Sequence, residues 1–315
     1  VLAKAQPQYK YIHILGGTYD VGASTLNIGT ACYIDGAGTT VKGPAGMPVL
    51  HFGYALGGGV LSGVTVQGSN SPSTTIGVTA DIGTTLEIFD STIVHGLSIN
   101  DARVTVDHST FSVPTVAIPS IGCTSGDLTI SDSEFDAGRI ESDTCTFTLR
   151  RNRFQIPNDQ CFSVTGGLAT IENNVFVGTS ELQDCGGISS VLSGSTVRFN
   201  TFVNMSDLVA DGSPLHCDSS ASITSNIFAW GSTAPNAGGC MPVYSLFDNA
   251  TTEPLGMGSL KADLATFFVN RAAKDFHLSA SSPAIGKAQS GLGVTSDIEG
   301  SARPSDSADI GAYEH

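Results

Sequence analysis

Apolar and polar positions along the middle of this chain alternate in short bursts rather than with a helical period. The bursts share a phrase: LEIFDSTI (86–93), VTVDHSTF (104–111), LTISDSEF (128–135), FTLRRNRF (147–154), ATIENNVF (169–176), STVRFNTF (195–202) and ASITSNIF (221–228). Each copy carries an aliphatic residue in third place and an apolar one five later, Phe in all but the first. The copies start 18, 24, 19, 22, 26 and 26 residues apart, the spacing of a solenoid. Within a copy the alternation is that of a half-buried strand, with Leu128 and Ile130 facing one way and Thr129 and Ser131 the other. Ile130 and Phe135 are five apart, so both can face inward only if the chain bends sharply between them, at about Ser133. The residues at this position are Ser91, Ser109, Ser133, Asn152, Asn174, Asn200 and Asn226. Ser and Asn stabilise turns through nearby backbone, and Asn tolerates the left-handed conformation. Stacked about 4.8 Å apart, their side chains can bond one another as an internal ladder.

The inward columns then stack aliphatic on aliphatic (Ile88, Val106, Ile130, Leu149, Ile171, Val197, Ile223) and ring on ring (Phe111, Phe135, Phe154, Phe176, Phe202, Phe228). One coil buries too little to stand alone, and the stack makes the core. The periods predict an all-β parallel β-helix with about three short strands per coil. The leucine-rich rhythm L-x-x-L-x-L-x-x-N is missing, and a propeller would need a longer antiparallel repeat. Weaker coils are expected at 33–41 and 60–66. A single domain is predicted, with coils over 1–260 and a closing segment over 261–315 packed on the last coils.

Charge narrows the partners. The net charge of −15 argues against nucleic acid, whose phosphates need Lys and Arg, and suits a soluble secreted protein. No transmembrane run and no cofactor motif is seen, and the start at Val1 reads as the end left after a leader is removed.

The repeat also sorts the seven cysteines. No C-x-x-C occurs, which argues against zinc ribbons and redox motifs. Cys123 and Cys145 follow their preceding Phe by 12 and 10 residues, Cys161 and Cys185 by 7 and 9, Cys217 and Cys240 by 15 and 12. Each pair is one coil apart and within disulfide reach. Bonds 123–145, 161–185 and 217–240 are predicted, with Cys32 free and buried. Disulfides imply an oxidising compartment.

Two segments carry a resemblance. Gly17-Thr18-Tyr19 followed by Ile34-Asp35-Gly36-Ala37-Gly38 resembles the first coil of the right-handed parallel β-helix (pectin-lyase-like) superfamily. DFHLSASSPAIGKA and DIEGSARPSDSADIGAYEH are similar to the C-terminal closing segment of bacterial secreted β-helix proteins of the choice-of-anchor group, at Asp275, Phe276, Leu278, Ser282, Pro283, Ala284, Ile285, Asp297, Gly300, Arg303, Pro304, Asp309, Ile310, Gly311, Tyr313 and Glu314. The resemblance implies a right-handed helix in a protein that is secreted or on the bacterial cell surface. It does not imply an activity, because the fold hosts lyases, hydrolases, esterases, adhesins and tailspikes. Physically the segment reads as closure: Asp309 and Arg303 pair or cap backbone groups, and Tyr313 covers the last coil, hiding a sheet edge.

The carboxylate sets of β-helix glycosidases are absent, and Asp-Asp does not occur. The richest chemistry lies on outward columns, Asp107, Ser131, Arg150, Glu172, Arg198, Thr224 and beside it Asp90, His108, Asp132, Arg151, Asn173. A polysaccharide lyase needs a base and a cation to neutralise a uronate carboxylate, for which Arg150, Arg151, Arg198 and His108 are the candidates, with Glu172. The order Arg150–Glu172–Arg198 is equally that of vertical surface salt bridges. His108 offsets the charge of Asp90 and Asp132, so no metal is expected. A third outward file, Thr105, Thr129, Thr148, Thr170, Thr196 and Ser222, suits an exposed strand. The resulting expectation is an extracellular β-helix with a structural, adhesive or assembly role whose partners are polysaccharides or cell-surface components. The alternatives are a lyase of a uronic-acid polymer and a fibre subunit self-associating along the helix axis. Whether the chain is an enzyme stays open.

Overall fold

In the computed structural model, residues 10–44, 46–53, 58–68, 76–112, 120–136, 140–156, 162–178, 188–191, 194–204, 215–217, 220–229, 240–249 and 255–315 are described. The chain forms two compact units, Val1–Phe147 and Thr148–His315. Both are built from coils of right-handed parallel β-helix, each with two consecutive strands on one sheet and a third on a facing sheet. Among the described residues there is no α-helix, and no helix is long and apolar enough to cross a membrane.

In the first unit the clearest coils run Thr85–Phe89, Thr92–Val94, Leu97–Ile99, then Ala102–Asp107, Thr110–Ser112, Ile121–Cys123, then Gly126–Ser131, Glu134–Asp136, Ile140–Asp143. Register places Ile34, Leu61, Ile88, Val106 and Ile130 in one column, all buried. The two early coils replace the bend with a bulge inside the long strands Cys32–Lys42 and Gly58–Gln67. Gly63 serves that bulge: its φ is 68°, and a Cβ there would press on the Ala37 backbone. Cys123 and Cys145 are disulfide-bonded with Cα atoms 6.2 Å apart, and Cys32 is free and buried.

In the second unit the same plan repeats through Ala169–Glu172, Val175–Gly178 and Ile188–Val191, then Thr196–Arg198, Thr201–Val203 and Leu215–Cys217, then Ser222–Thr224 and Ile227–Ala229. Its Phe rings form a file: 154 on 176 at 4.7 Å, 176 on 202 at 5.0 Å, 202 on 228 at 5.2 Å and 228 on 247 at 4.8 Å between centroids. Stacked rings at strand spacing bury large apolar surfaces with no polar atom to satisfy. Cys217 and Cys240 are bonded, Cα atoms 4.9 Å apart; Cys161 and Cys185 lie outside the described residues.

The bend between the first two strands differs in detail from the sequence expectation. The left-handed residue precedes the Ser or Asn: Asp90, His108 and Asp132 in the first unit, Arg151, Asn173, Phe199 and Ser225 in the second, with φ between 47° and 58°. That residue throws its side chain outward, so many types serve there. The Ser or Asn that follows turns inward and is fully buried. Each Asn is then held on three sides. The Asn200 amide nitrogen donates to the carbonyls of Ile171 and Arg198 and to Asn226 Oδ1, at 2.8–3.0 Å. Its own Oδ1 accepts from the Asn174 backbone and side chain at 2.9 and 3.0 Å. Asn152–Asn174 repeats the step. Serine does less: Ser109 Oγ donates to its neighbour's carbonyl, Asp107 O, and accepts from Ser91 N.

The closing segment packs along the flank of the second unit's coils, over the outer face of Val175–Gly178, Thr201–Val203 and Ile227–Ala229, and the Tyr313 hydroxyl accepts from Arg153. The cause is that outer face. Val175, Val177, Val203, Ile227 and Ala229 are apolar where alternation calls for polar residues, and burying an aliphatic side chain contributes roughly 1.5–3 kcal/mol. Phe268, Phe276, Ile298, Ile310, Ala312 and Tyr313 cover them. Gly311 runs so close that a Cβ would fall 2.6 Å from Ile227 Cδ1, and the Ala312 N–H donates to Thr201 Oγ1 at 3.0 Å.

Candidate functional site

The outward polar column of the second unit is built on parallel register, which sets Glu172 opposite Arg198. Arg198 Nε and Nη2 both reach Glu172 Oε2, at 2.8 and 2.7 Å, and Arg150 Nε stands 3.7 Å from Oε1. The remaining Arg198 amine donates to the Leu292 carbonyl at 2.7 Å. Glu172 is buried, and Asn173 and Thr224 are buried beside it. These positions were expected to face solvent; the closing segment roofs them, with Asn173 Nδ2 donating to the Ser296 carbonyl and Thr224 Oγ1 to Gln289 Oε1. Arg151 holds the left-handed bend next to Arg150.

His108 belongs to the first unit. Its Nδ1 is 3.0 Å from Asp107 Oδ2, and Asp107 Oδ1 accepts from Ser131 Oγ at 2.6 Å. The hydrogen bond to Asp107 holds the imidazole above its usual value, with the charges of Asp132 and Asp90 adding to it. Donor atoms of Asp107, His108 and Asp132 all lie within 4.8 Å of one another, so they are the described residues best placed to hold a cation. The ring is engaged with Asp107, and protonation competes with a metal for the same nitrogen.

Two further constellations sit in the closing segment. His277 lies between two carboxylates, Nδ1 2.6 Å from Asp275 Oδ1 and Nε2 3.1 Å from Glu299 Oε2. Glu299 Oε1 accepts from Arg153 Nη2 at 3.1 Å, Arg153 Nη1 donates to the Tyr313 hydroxyl, and the Tyr313 ring lies 4.5 Å from that of His277. Ionised carboxylate oxygens only accept, so the ring makes both contacts as hydrogen bonds when it is protonated. Its hydrogen bond to Asp275 raises the His277 pKa and lowers that of Asp275, while burial pushes the Tyr313 phenol up. Such a group is a tether rather than a free base. Sequence reading marked Asp275 and Tyr313 but passed over His277 and Glu299. The H in D-F-H-L, placed to face the same side as its Asp, was the available signal.

Arg303 is the deepest cation. Nη1 donates to the Asp309 carbonyl at 3.1 Å and Glu314 Oε2 at 2.8 Å, and Nη2 to Asn173 Oδ1 at 3.0 Å and the Gly311 carbonyl at 2.7 Å. Its guanidinium lies 4.4 Å from the Phe199 ring centre. Asp309 accepts from the backbone N–H groups of Gly286 and His315, each at 2.7 Å. These residues knot the segment to itself and to the coil at Asn173.

The register and strand plan define a right-handed parallel β-helix. No family model matches the sequence, and no curated protein matches it. Among solved structures the chain is similar to the crystal structure of pectate lyase Pel9A, with 15% identity over 97% of this chain and 88% of that chain and a TM-score of 0.46. A likeness of this size assigns no activity to any residue here.

Proposed function

We propose that this chain is an extracellular or cell-surface β-helix with a structural, adhesive or assembly role, in the pectin-lyase-like superfamily, and that its partners are carbohydrates. One observation carries the non-catalytic part: Glu172 and Arg198, the acid and one arginine of the candidate column, are held in structural contacts. Glu172 is buried against Arg198, whose other amine is bonded to Leu292 beneath the closing segment. Arg150 contributes only a long contact to the same carboxylate. The disulfides fit an oxidising compartment. The sequence resemblance of the closing segment supports the bacterial secreted setting.

The test is a panel of acidic and neutral polysaccharides, read both for retention of the protein and for the ultraviolet absorbance of unsaturated product. Retention without product is expected. Product formation that Arg150→Ala or Arg151→Ala abolishes would replace this reading with a lyase acting on a uronic-acid polymer.

A further inference from the structure

Two neighbouring coils of the first unit bring three ligand-bearing side chains together at their outer bend. Asp107 ends the strand Ala102–Asp107 and pairs in register with Ser131 of the next coil. His108 and Asp132 follow at the same bend position of the two coils, both left-handed, with φ of 47° and 50°. The His108 N–H donates to the Ser131 carbonyl, which ties one bend to the other. His108 is exposed, and Asp107 and Asp132 are half-buried. One ring nitrogen of His108 and one oxygen from each carboxylate all lie within 4.8 Å of one another. Among the described residues no other three His, Cys, Asp or Glu side chains converge this closely. The chain has 29 Asp and Glu and 7 His, so acidity alone does not produce such a meeting. At His277, by contrast, the two carboxylates take opposite ring nitrogens.

We propose that Asp107, His108 and Asp132 form a site for a divalent transition-metal ion of the zinc type. The inference stands apart from the carbohydrate reading. Ligand atoms bound at roughly 2.0–2.1 Å in a tetrahedron are roughly 3.3 Å from one another. His108 Nδ1 and Asp107 Oδ2 are already 3.0 Å apart, so an ion in place of their shared proton needs little movement of either. Asp132 supplies the third ligand by a side-chain rotation at the adjacent bend. Asp107 is oriented for the role: its other oxygen, Oδ1, accepts from Ser131 Oγ at 2.6 Å, the kind of outer bond that fixes a ligating carboxylate. Asp90, at the same bend one coil earlier, adds negative charge. Sequence alone gives His108 the part of counter-charge between Asp90 and Asp132, and a bound ion takes over that part. The donor set decides the class of ion. Calcium takes six to eight oxygens, whereas one imidazole with two carboxylates suits zinc and its first-row neighbours. The exposed side leaves the remaining position to water.

The experiment is calorimetric titration of the full, chelator-treated chain with zinc chloride and, separately, with calcium chloride. Zinc binding is expected, weakened at least about tenfold by His108→Ala and by Asp132→Asn, several-fold by Ser131→Ala, which releases the second oxygen of Asp107, and little by Asp90→Asn or His277→Gln. His108 and Asp132 stand at the outer bend rather than in the core, so their variants keep the fold, which circular dichroism checks. No zinc binding, or an unchanged affinity in His108→Ala or Asp132→Asn, would overturn the proposal. So would calcium binding as tightly as zinc, which would reduce the cluster to an acidic patch. A zinc affinity lost in His277→Gln would place the ion in the closing segment and overturn it equally.

Discussion

In two coils of the first unit the second strand is apolar only at its centre, Thr110-Phe111-Ser112 and Glu134-Phe135-Asp136, and its outer positions are half-buried or exposed. In the second unit the same strand reads Val175-Phe176-Val177, Thr201-Phe202-Val203 and Ile227-Phe228-Ala229, and every position is buried. The inward Phe column is common to both. The difference lies wholly in the outward one, which water covers in one unit and the closing segment in the other. Loss of the two-residue alternation is therefore a sequence mark for a second layer. The bend ladders differ in parallel, serine in the first unit and asparagine in the second, and the asparagines make more bonds per coil.

The largest test of this contrast is Arg303→Ala. It removes four hydrogen bonds from a buried guanidinium and leaves the Glu314 carboxylate without its partner. Breaking a buried ion pair typically costs about 3–5 kcal/mol. Denaturant unfolding should show that loss, with amide exchange rising first in Val175–Gly178, Thr201–Val203 and Ile227–Ala229. An unchanged midpoint would mean that the roof contributes little.

The ladders can be compared directly. Asn200→Ala removes the two amide hydrogens shared among Ile171 O, Arg198 O and Asn226 Oδ1 and strands the Asn174 N–H in the interior, for a cost of about 2–3 kcal/mol. Ser109→Ala deletes one donated and one accepted bond, for about 1 kcal/mol. Equal losses in thermal or denaturant unfolding would erase the distinction between the two units' bends.

The smallest effect is a pH dependence at His277. Asp275 and Glu299 flank its nitrogens, with Tyr313 against the ring and Arg153 on Glu299. Its folded pKa lies above the usual imidazole value of 6.5. The stabilisation is thus fully present below about pH 6.5 and disappears as pH rises through the folded value. The groups are half-exposed and screened, so it amounts to less than about 1 kcal/mol. Unfolding midpoints measured across that range should slope downward in the native protein and flatten in His277→Gln; equal slopes would remove His277 as the tether.

Much of the fold was legible in the sequence, because one inward face forces the period. Ile130 and Phe135 required the bend, and the stacked Phe column marked the coils. The bend was misplaced by one residue, since sequence shows which side chain is small and polar but not which backbone carries the left-handed turn. The site was harder to read. Arg150, Glu172 and Arg198 form a column in the sequence, and nothing in that column says that Leu292 will arrive above it. The doubled apolar pattern of Val175-Phe176-Val177 did carry that information, but only as a demand for cover, without naming the covering residues.

That cover has a consequence in time. Arg303 is 130 residues along the chain from Asn173, and Ala312 is 111 from Thr201. During synthesis the coils can stack one after another through near neighbours, while their apolar flank waits for a closing segment that emerges 84 residues after Ile227 in the case of Gly311 and 130 after Asn173 in the case of Arg303. Contacts of such long sequence separation form late and slowly. In that interval the second unit is a coil stack with one sticky side, and the residues around Arg303 decide when it becomes inert.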